Sequence, residues 1–353
     1  ETEMNKKVLL GMSGGIDSSV AAMILQEKGF VVIGITFLFS GNSAIEHHPT
    51  SIKAKRLAQE LGIKHHTIDL RNEFKKVIIS YFIDSYKHGN TPFPCAVCNP
   101  QVKFHNLKKY ADKFSCDYIS TGHYVNIVEN MGVKYISVGK DNEKDQSFFL
   151  WGLSKNMIQR LIFPLGNMFK DDVRKCAENK GFNSLSGQSE SMGICFIEGN
   201  DYRKYLTELG LKSEPGNFIN KNGEVLGKHK GIFHYTIGQR RGLGIHLNKP
   251  VFVRELRPKT NEVVLADFDE LYRSVLYLQN THFVNAEALN IERNYTVRIR
   301  YRLQETPCRI RILPQDKAVV ELKEPVAMVA NGQTAVIYDE DRVIGGGFIF
   351  GSA

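Results

Sequence analysis

The chain has 353 residues, 42% of them hydrophobic and 24% charged, with a formal net charge of +8. At roughly 150 residues per domain this is about two to three domains, which excludes a lone small module, and the ordinary globular balance excludes a wholly disordered chain. No apolar run approaches the ~20 residues that cross a bilayer, and the opening ETEMNKKVLLGMSGG lacks a signal-peptide core with a cleavage site, so a cytoplasmic protein without a membrane partner is expected.

KVLLGM at 7–12 reads as a short buried strand and SGGIDSS as a glycine-rich turn. VAAMILQEKGF follows as a helix, because Val20, Ile24 and Leu25 recur at helical spacing and Gly29 fits a C-terminal cap. VVIGITFLF (31–39) is again strand-like, IKAKRLAQELG (52–62) helical, HHTIDL (65–70) a strand, 74–86 a helix and DYISTGHY (117–124) a strand. This alternation predicts an α/β fold with a doubly wound parallel sheet. TPFPCAVCNP (91–100) reads as a proline-rich loop.

Beyond about residue 200 the texture changes to GNFINKNGEVLGKHKG, rich in Gly, Asn and Lys, and then to VFVREL, EVVLAD, YTVRIRYRL, CRIRILP, KAVVELKE, TAVIYDED and RVIGGGFIF. Short alternating runs separated by turn residues predict a small antiparallel β-barrel. Boundaries near 203 and 270 divide the chain into 1–203, a small central unit over 204–270 and a barrel over 271–353. The charge excess sits in the middle: residues 201–260 carry 12 Lys/Arg against 5 Asp/Glu. A local basic field of that kind attracts polyanions, which makes nucleic acid a candidate partner and a solvated basic face the plain alternative.

The sharpest local signal is Ser13-Gly14-Gly15-Ile16-Asp17-Ser18 between a strand and a helix. Glycines let backbone approach a phosphate, and N–H groups at a helix N-terminus with serine hydroxyls donate to its oxygens. The Walker A spacing GxxxxGK[ST] is absent, so the loop resembles instead the pyrophosphate loop of the ATP pyrophosphatases, which adenylate a carbonyl oxygen. The plainer reading is a Gly-Ser turn capping a helix, with Asp17 a first-turn acid favoured by the helix dipole.

Six cysteines stand at 95, 98, 116, 176, 195 and 308. Cys116, Cys176 and Cys308 lie in strand or helix patterns and read as packing residues. Cys95 and Cys98 in their loop, and Cys195 near Gly193, read as accessible thiols, which sulfur chemistry requires.

With these residues in view the chain resembles the tRNA-specific 2-thiouridylases, which put sulfur on the wobble uridine. The resemblance runs through GMSGGIDSSVAA (11–22), TPFPCAVCNPQVKF (91–104), TGHY (121–124), KDQSFFL (144–150), SMGICFI (191–197), YTIGQRRGLGI (235–245) and NGQTAVIYDEDRVIGGGFI (331–349). It implies ATP, with Mg²⁺, held at its phosphates by Gly11, Met12, Ser13, Gly14, Gly15, Ile16, Asp17 and Ser18, and at its adenine near Phe37 and Gly122. It implies Cys98 as nucleophile, Cys195 as persulfide carrier, a Cys98–Cys195 disulfide after transfer, and Phe93, Pro94 and Cys95 near the target base. It points to His123, Lys144, Asp145, Gln146, Arg300, Tyr301 and Gln333 as tRNA contacts, to which the basic excess adds Arg240 and Arg241. Partners implied are tRNA and a sulfur donor, a cysteine desulfurase or a relay protein behind it.

Two positions depart from the family pattern: Cys95 stands where many relatives carry Asp, and Asn90 where many carry Arg. The first leaves the general base open and raises an alternative, a [4Fe–4S] cluster held by Cys95, Cys98 and Cys195. A structural zinc site is disfavoured, since no second C-x-x-C or well-placed His pair is present. Two other classes are weighed: an amidating ligase would not need Cys98 or Cys195, and a nucleotide-gated RNA-binding protein would release no pyrophosphate.

Overall fold

The computed structural model describes residues 5–182, 193–197, 199, 201–245, 247–290, 292–302 and 305–353. Of the SMGICFI segment, Ser191 and Met192 lie outside the described residues. With strands numbered along the chain, β1 (Lys7–Gly11), β2 (Val31–Leu38), β3 (Lys64–Asp69), β4 (Tyr118–Thr121) and β7 (Leu161–Ile162) form a parallel sheet in the order β3-β2-β1-β4-β7. Alternation along β1 decides what covers it. Val8 and Leu10 pack with α1 (Ile16–Glu27) and the helix Lys170–Asn179, whereas Leu9 packs with Leu107 and Ala111 of the helix Phe104–Lys113. Chain order reverses between β1 and β4, and the crevice at the carboxyl ends of strands at such a switch point is where open α/β sheets take their ligands.

The helix expected over 74–86 runs from 71 to 87, with one π-turn at Lys75–Ile79. The proline-rich segment is not the expected loop. From residue 94 it is helical, as Pro94–Cys98, a π-turn Asn99–Lys103 and Phe104–Lys113 in succession. Pro94 stands in the first turn, where its missing N–H costs nothing, and Pro100 falls in the π-turn, whose wider winding accommodates what an α-helix interior resists. We call 94–113 the cysteine helix.

The barrel comprises β12 (Tyr272–Phe283), β13 (Tyr295–Arg298), β14 (Thr306–Leu313), β15 (Lys317–Ala327), β16 (Thr334–Asp339) and β17 (Arg342–Ser352), antiparallel and closed by β12 on β17. β12 was not among the anticipated runs; bulges at Arg273/Val275 and Gln279/His282 interrupt its pairing and its period of two. A hairpin of β5 (Val125–Asn130) and β6 (Val133–Val138), also unanticipated, extends the barrel sheet where Ser137 meets Arg342. Between them, β8 (Gly216–Ile219), β9 (Val225–His229), β10 (Phe252–Arg257) and β11 (Glu262–Ala266) make a smaller sheet in the order β10-β11-β8-β9 over Phe218, Tyr235, Val253 and Val263. The runs VFVREL and EVVLAD therefore belong to this sheet. The architecture is the expected one: a parallel α/β unit, a small central unit and an antiparallel barrel.

Candidate active site

The glycine loop leaves β1 at the switch point. Met12 N–H donates to the Ile35 carbonyl (2.8 Å) and the Met12 carbonyl accepts from Thr36 Oγ1 (2.7 Å), fixing the loop's start against β2. Gly14 has φ +78°, and a Cβ there would lie 2.9 Å from Lys53 Cγ and 3.2 Å from the Ala54 nitrogen, so only glycine makes this turn without strain. Gly15 caps α1, with Ser18 Oγ and Ser19 Oγ donating to its carbonyl at 3.1 and 3.0 Å. Phe37 lies one residue before the end of β2, half-buried against Phe39 and Tyr110.

The TGHY turn after β4 joins this loop to the cysteines. A Cβ on Gly122 would sit 2.8 Å from the Ser18 nitrogen, so its absence lets the β4 end touch the start of α1. Tyr124 OH donates to Asp17 Oδ1 at 2.6 Å, and the same oxygen takes Lys170 Nζ at 2.6 Å. Lys170 is 6% exposed and stands 153 positions from Asp17; no motif announces it in the sequence. Asp17 is thus an ion-pair member as well as a first-turn acid.

His123 faces the other way. Its Nδ1 is 2.5 Å from Thr121 Oγ1 and its ring lies against Phe104 and Phe163. Burial, with Lys103 nearby, takes its pKa down to about 3, so the imidazole is neutral at pH 7. As a neutral ring it offers one N–H donor and one acceptor nitrogen rather than a charge.

Cys95 and Cys98 are half-buried and Cys195 is exposed. Cys98 packs on the same apolar cluster as Ile194, Phe196 and Ile197, the residues flanking Cys195, together with Phe74, Ile78 and Phe82 of the 71–87 helix. The three thiols lie within electrostatic reach of one another and of Lys103, which sequence reasoning missed because it is a bare lysine in PQVKF. Burial pushes the Cys98 thiol up to about 12, against the pull of the Lys103 ammonium and with a further push from Cys195 and Cys95. Cys195 reaches solvent, yet crowding by protein raises its thiol too, and Lys103 opposes that. Among the described residues no three His, Cys, Asp or Glu side chains gather to hold a metal ion. The cysteines as placed do not form a cluster cradle.

Of the residues assigned to tRNA by resemblance, Asp145 is buried and several others are half-buried and bonded within the protein. Asp145 is 3% exposed and accepts from Gly139 N (3.0 Å), Ser147 N (3.1 Å), Ser147 Oγ (2.8 Å) and Arg298 Nη1 (2.8 Å). It pins the 144–150 segment to the barrel through Arg298. Gln146 Oε1 accepts from Tyr124 N at 3.0 Å, and Gln333 Nε2 donates to the Thr91 and Pro92 carbonyls at 3.0 and 3.3 Å. Arg300 and Tyr301 follow β13 in a turn rather than lying in a strand; Arg300 Nη2 donates to the Met328 carbonyl and Tyr301 packs against Phe149, centroids 4.5 Å apart and rings tilted by 50°. Lys144 and Tyr301 line one open groove of about 800 Å³ together with Arg298, Arg302 and Glu305. Arg240 and Arg241 are exposed on a turn of the central unit, whose Gly238 abuts Met328.

A glycine-rich phosphate loop at the switch point of a parallel sheet, followed by two β units, defines a nucleotide-binding α/β enzyme of the PP-loop type. Family models match in that order: a "tRNA methyl transferase HUP domain" over 6–199, a "tRNA methyl transferase PRC-barrel domain" over 203–267 and an "Aminomethyltransferase beta-barrel domain" over 273–349. The chain is 44% identical to tRNA-specific 2-thiouridylase MnmA 1 of Bacteroides fragilis, covering 98% of each chain. It is 42% identical to MnmA 3 of Phocaeicola vulgatus, over 98% of this chain and 94% of that one, and 37% identical to MnmA of Clostridioides difficile, over 98% of each. The chain belongs to the tRNA-specific 2-thiouridylase family.

Proposed function

We propose that this protein is a tRNA-uridine 2-sulfurtransferase that uses ATP to activate C2 of the wobble uridine and replaces its oxygen with sulfur. The uridine O2 attacks the α-phosphorus and pyrophosphate leaves, held by the Gly11–Ser18 loop with Mg²⁺ accompanying the nucleotide. The terminal sulfur of a Cys195 persulfide attacks the adenylated C2 and AMP departs. Cys98, as thiolate, then attacks the Cys195 sulfur, releasing 2-thiouridine and leaving a Cys98–Cys195 disulfide. Electrons balance, since the sulfane sulfur is reduced by two while two thiols are oxidised; an external thiol must reset the pair. The persulfide comes from a cysteine desulfurase or a relay protein, and the setting is the cytoplasm. No helix among the described residues is long and apolar enough to cross a membrane.

The observation that carries this reading is the packing of Cys98 against the segment bearing Cys195, in a chain of this family. The test is thiolation of unmodified tRNA with ATP and a desulfurase-generated persulfide. Cys98→Ser and Cys195→Ser should each fall below about a thousandth of wild type while tRNA-dependent pyrophosphate release persists. Wild-type thiolation by either variant overturns the sulfur route, and no thiolation by the intact protein overturns the function.

A further inference from the structure

The approach to the cysteine helix is poor in hydrogen bonds of its own. In TPFP, Pro92 and Pro94 have no N–H, and Phe93 N–H reaches only to Tyr81 OH at 3.3 Å. What holds the approach comes from the barrel, some 240 positions away. Thr91 N–H donates to the Asn331 carbonyl (2.8 Å), and Gln333 Nε2 donates to the carbonyls of both Thr91 (3.0 Å) and Pro92 (3.3 Å). Between these, Gly332 has φ +88° and approaches so closely that a Cβ would lie 2.8 Å from the Thr91 oxygen and 2.9 Å from Asn90 Cβ.

The turn that reaches out is itself fastened. Gly332 N–H donates to the Ile349 carbonyl and Ile349 N–H to the Gln333 carbonyl, both at 2.8 Å, which ties it to β17. A second arm runs parallel: Tyr301 packs tilted against Phe149, Phe149 stacks on Phe93 (5.6 Å, 20°), and the Phe149 carbonyl accepts from Asn99 Nδ2 at 2.8 Å. Asn99 follows Cys98 directly and is 3% exposed.

We propose that the barrel turn 331–333 is a positioning device for sulfur transfer, in which Gln333 sets the start of the cysteine helix through Thr91 and Pro92. The inference rests on the sulfurtransferase reading for its activity arm and on the hydrogen bonds alone for its structural arm. Small misplacement of reacting groups is costly, up to about a hundredfold for 1 Å, so a strut of this kind bears on rate more than on affinity.

The test uses Gln333→Ala and the near-isosteric Gln333→Glu, whose carboxylate cannot donate to the two carbonyls. Three quantities are read on the full chain: tRNA Kd, the single-turnover thiolation rate at saturating tRNA, and hydrogen–deuterium exchange over 91–99. The expected result is a rate about tenfold lower in Gln333→Ala and lower still in Gln333→Glu. Exchange over 91–99 rises in both, β16 and β17 stay protected, and Kd stays within about twofold. A raised Kd with unchanged single-turnover rate and unchanged exchange over 91–99 overturns the inference and makes Gln333 an RNA contact. If the intact protein forms no 2-thiouridine, the sulfurtransferase reading fails, while the exchange arm still decides whether the turn holds the helix.

Discussion

The phosphate loop and the cysteine site are built on opposite plans. Six consecutive residues, Ser13 to Ser18, with the strand before and the helix after, make nearly all of the first. The second is assembled from the cysteine helix, the 193–197 segment, the 71–87 helix and a barrel turn. A local site is broken by changing its own backbone; an assembled one is broken from far away. The TGHY turn is where the two meet, with Gly122 and Tyr124 on the loop side and His123 on the cysteine side.

The contrast can be pressed hardest at Asp145. Removing it with Asp145→Ala leaves Arg298 without its better-buried partner and two backbone N–H groups without an acceptor, and should cost about 3–5 kcal/mol of stability. Chemical denaturation reads this directly; a loss under about 1 kcal/mol would mean that the barrel is not held by this pin. Next comes Gly122→Ala, which drives a Cβ into the Ser18 nitrogen and Asp17 carbon. The KM for ATP should rise by about tenfold or more, with the alkylation rates of Cys98 and Cys195 unchanged; altered alkylation would show that the two sites are not separable at this turn.

The smallest effect is acid sensitivity, for which each region supplies one histidine. Burial lowers His65, bonded to Thr36 beside the loop, to about 4, and lowers His123 to about 3, from 6.5. Below pH 6.5 the unfolded chain binds protons that the folded one refuses, so stability rises with pH across this window and is lost progressively from 6.5 toward 4. His65→Gln should flatten part of that loss in thermal melts at pH 7, 6, 5 and 4; an unchanged slope would remove His65 from the account.

How far the sequence could be read follows the same division. The glycine loop, its strand and helix and the parallel sheet were legible because neighbours in sequence are neighbours in space. The cysteines were legible as residues but not in their setting: two prolines made a helix look like a loop, and only the π-turn at Asn99–Lys103 explains how Pro100 fits. Lys103, Tyr124 and Lys170 gave no signal of their roles, since a lysine 153 residues from its aspartate carries no pattern. Asp145, Gln146, Arg300 and Gln333 gave no signal of their intramolecular bonds for a related reason. Polar side chains that look made for a ligand also serve backbone groups here, within the α/β unit for Gln146 and within the barrel for Arg300, and Asp145 and Gln333 bond across the α/β–barrel junction. The resemblance supplied the function that no local pattern contained.

The most direct measurement is peptide mapping by mass spectrometry after a single turnover of persulfide-loaded protein with ATP and unmodified tRNA, counting Cys98–Cys195 disulfide against 2-thiouridine. The account predicts one disulfide for each 2-thiouridine formed, absent when ATP is omitted. Accumulation of 2-thiouridine with both thiols still free would contradict it.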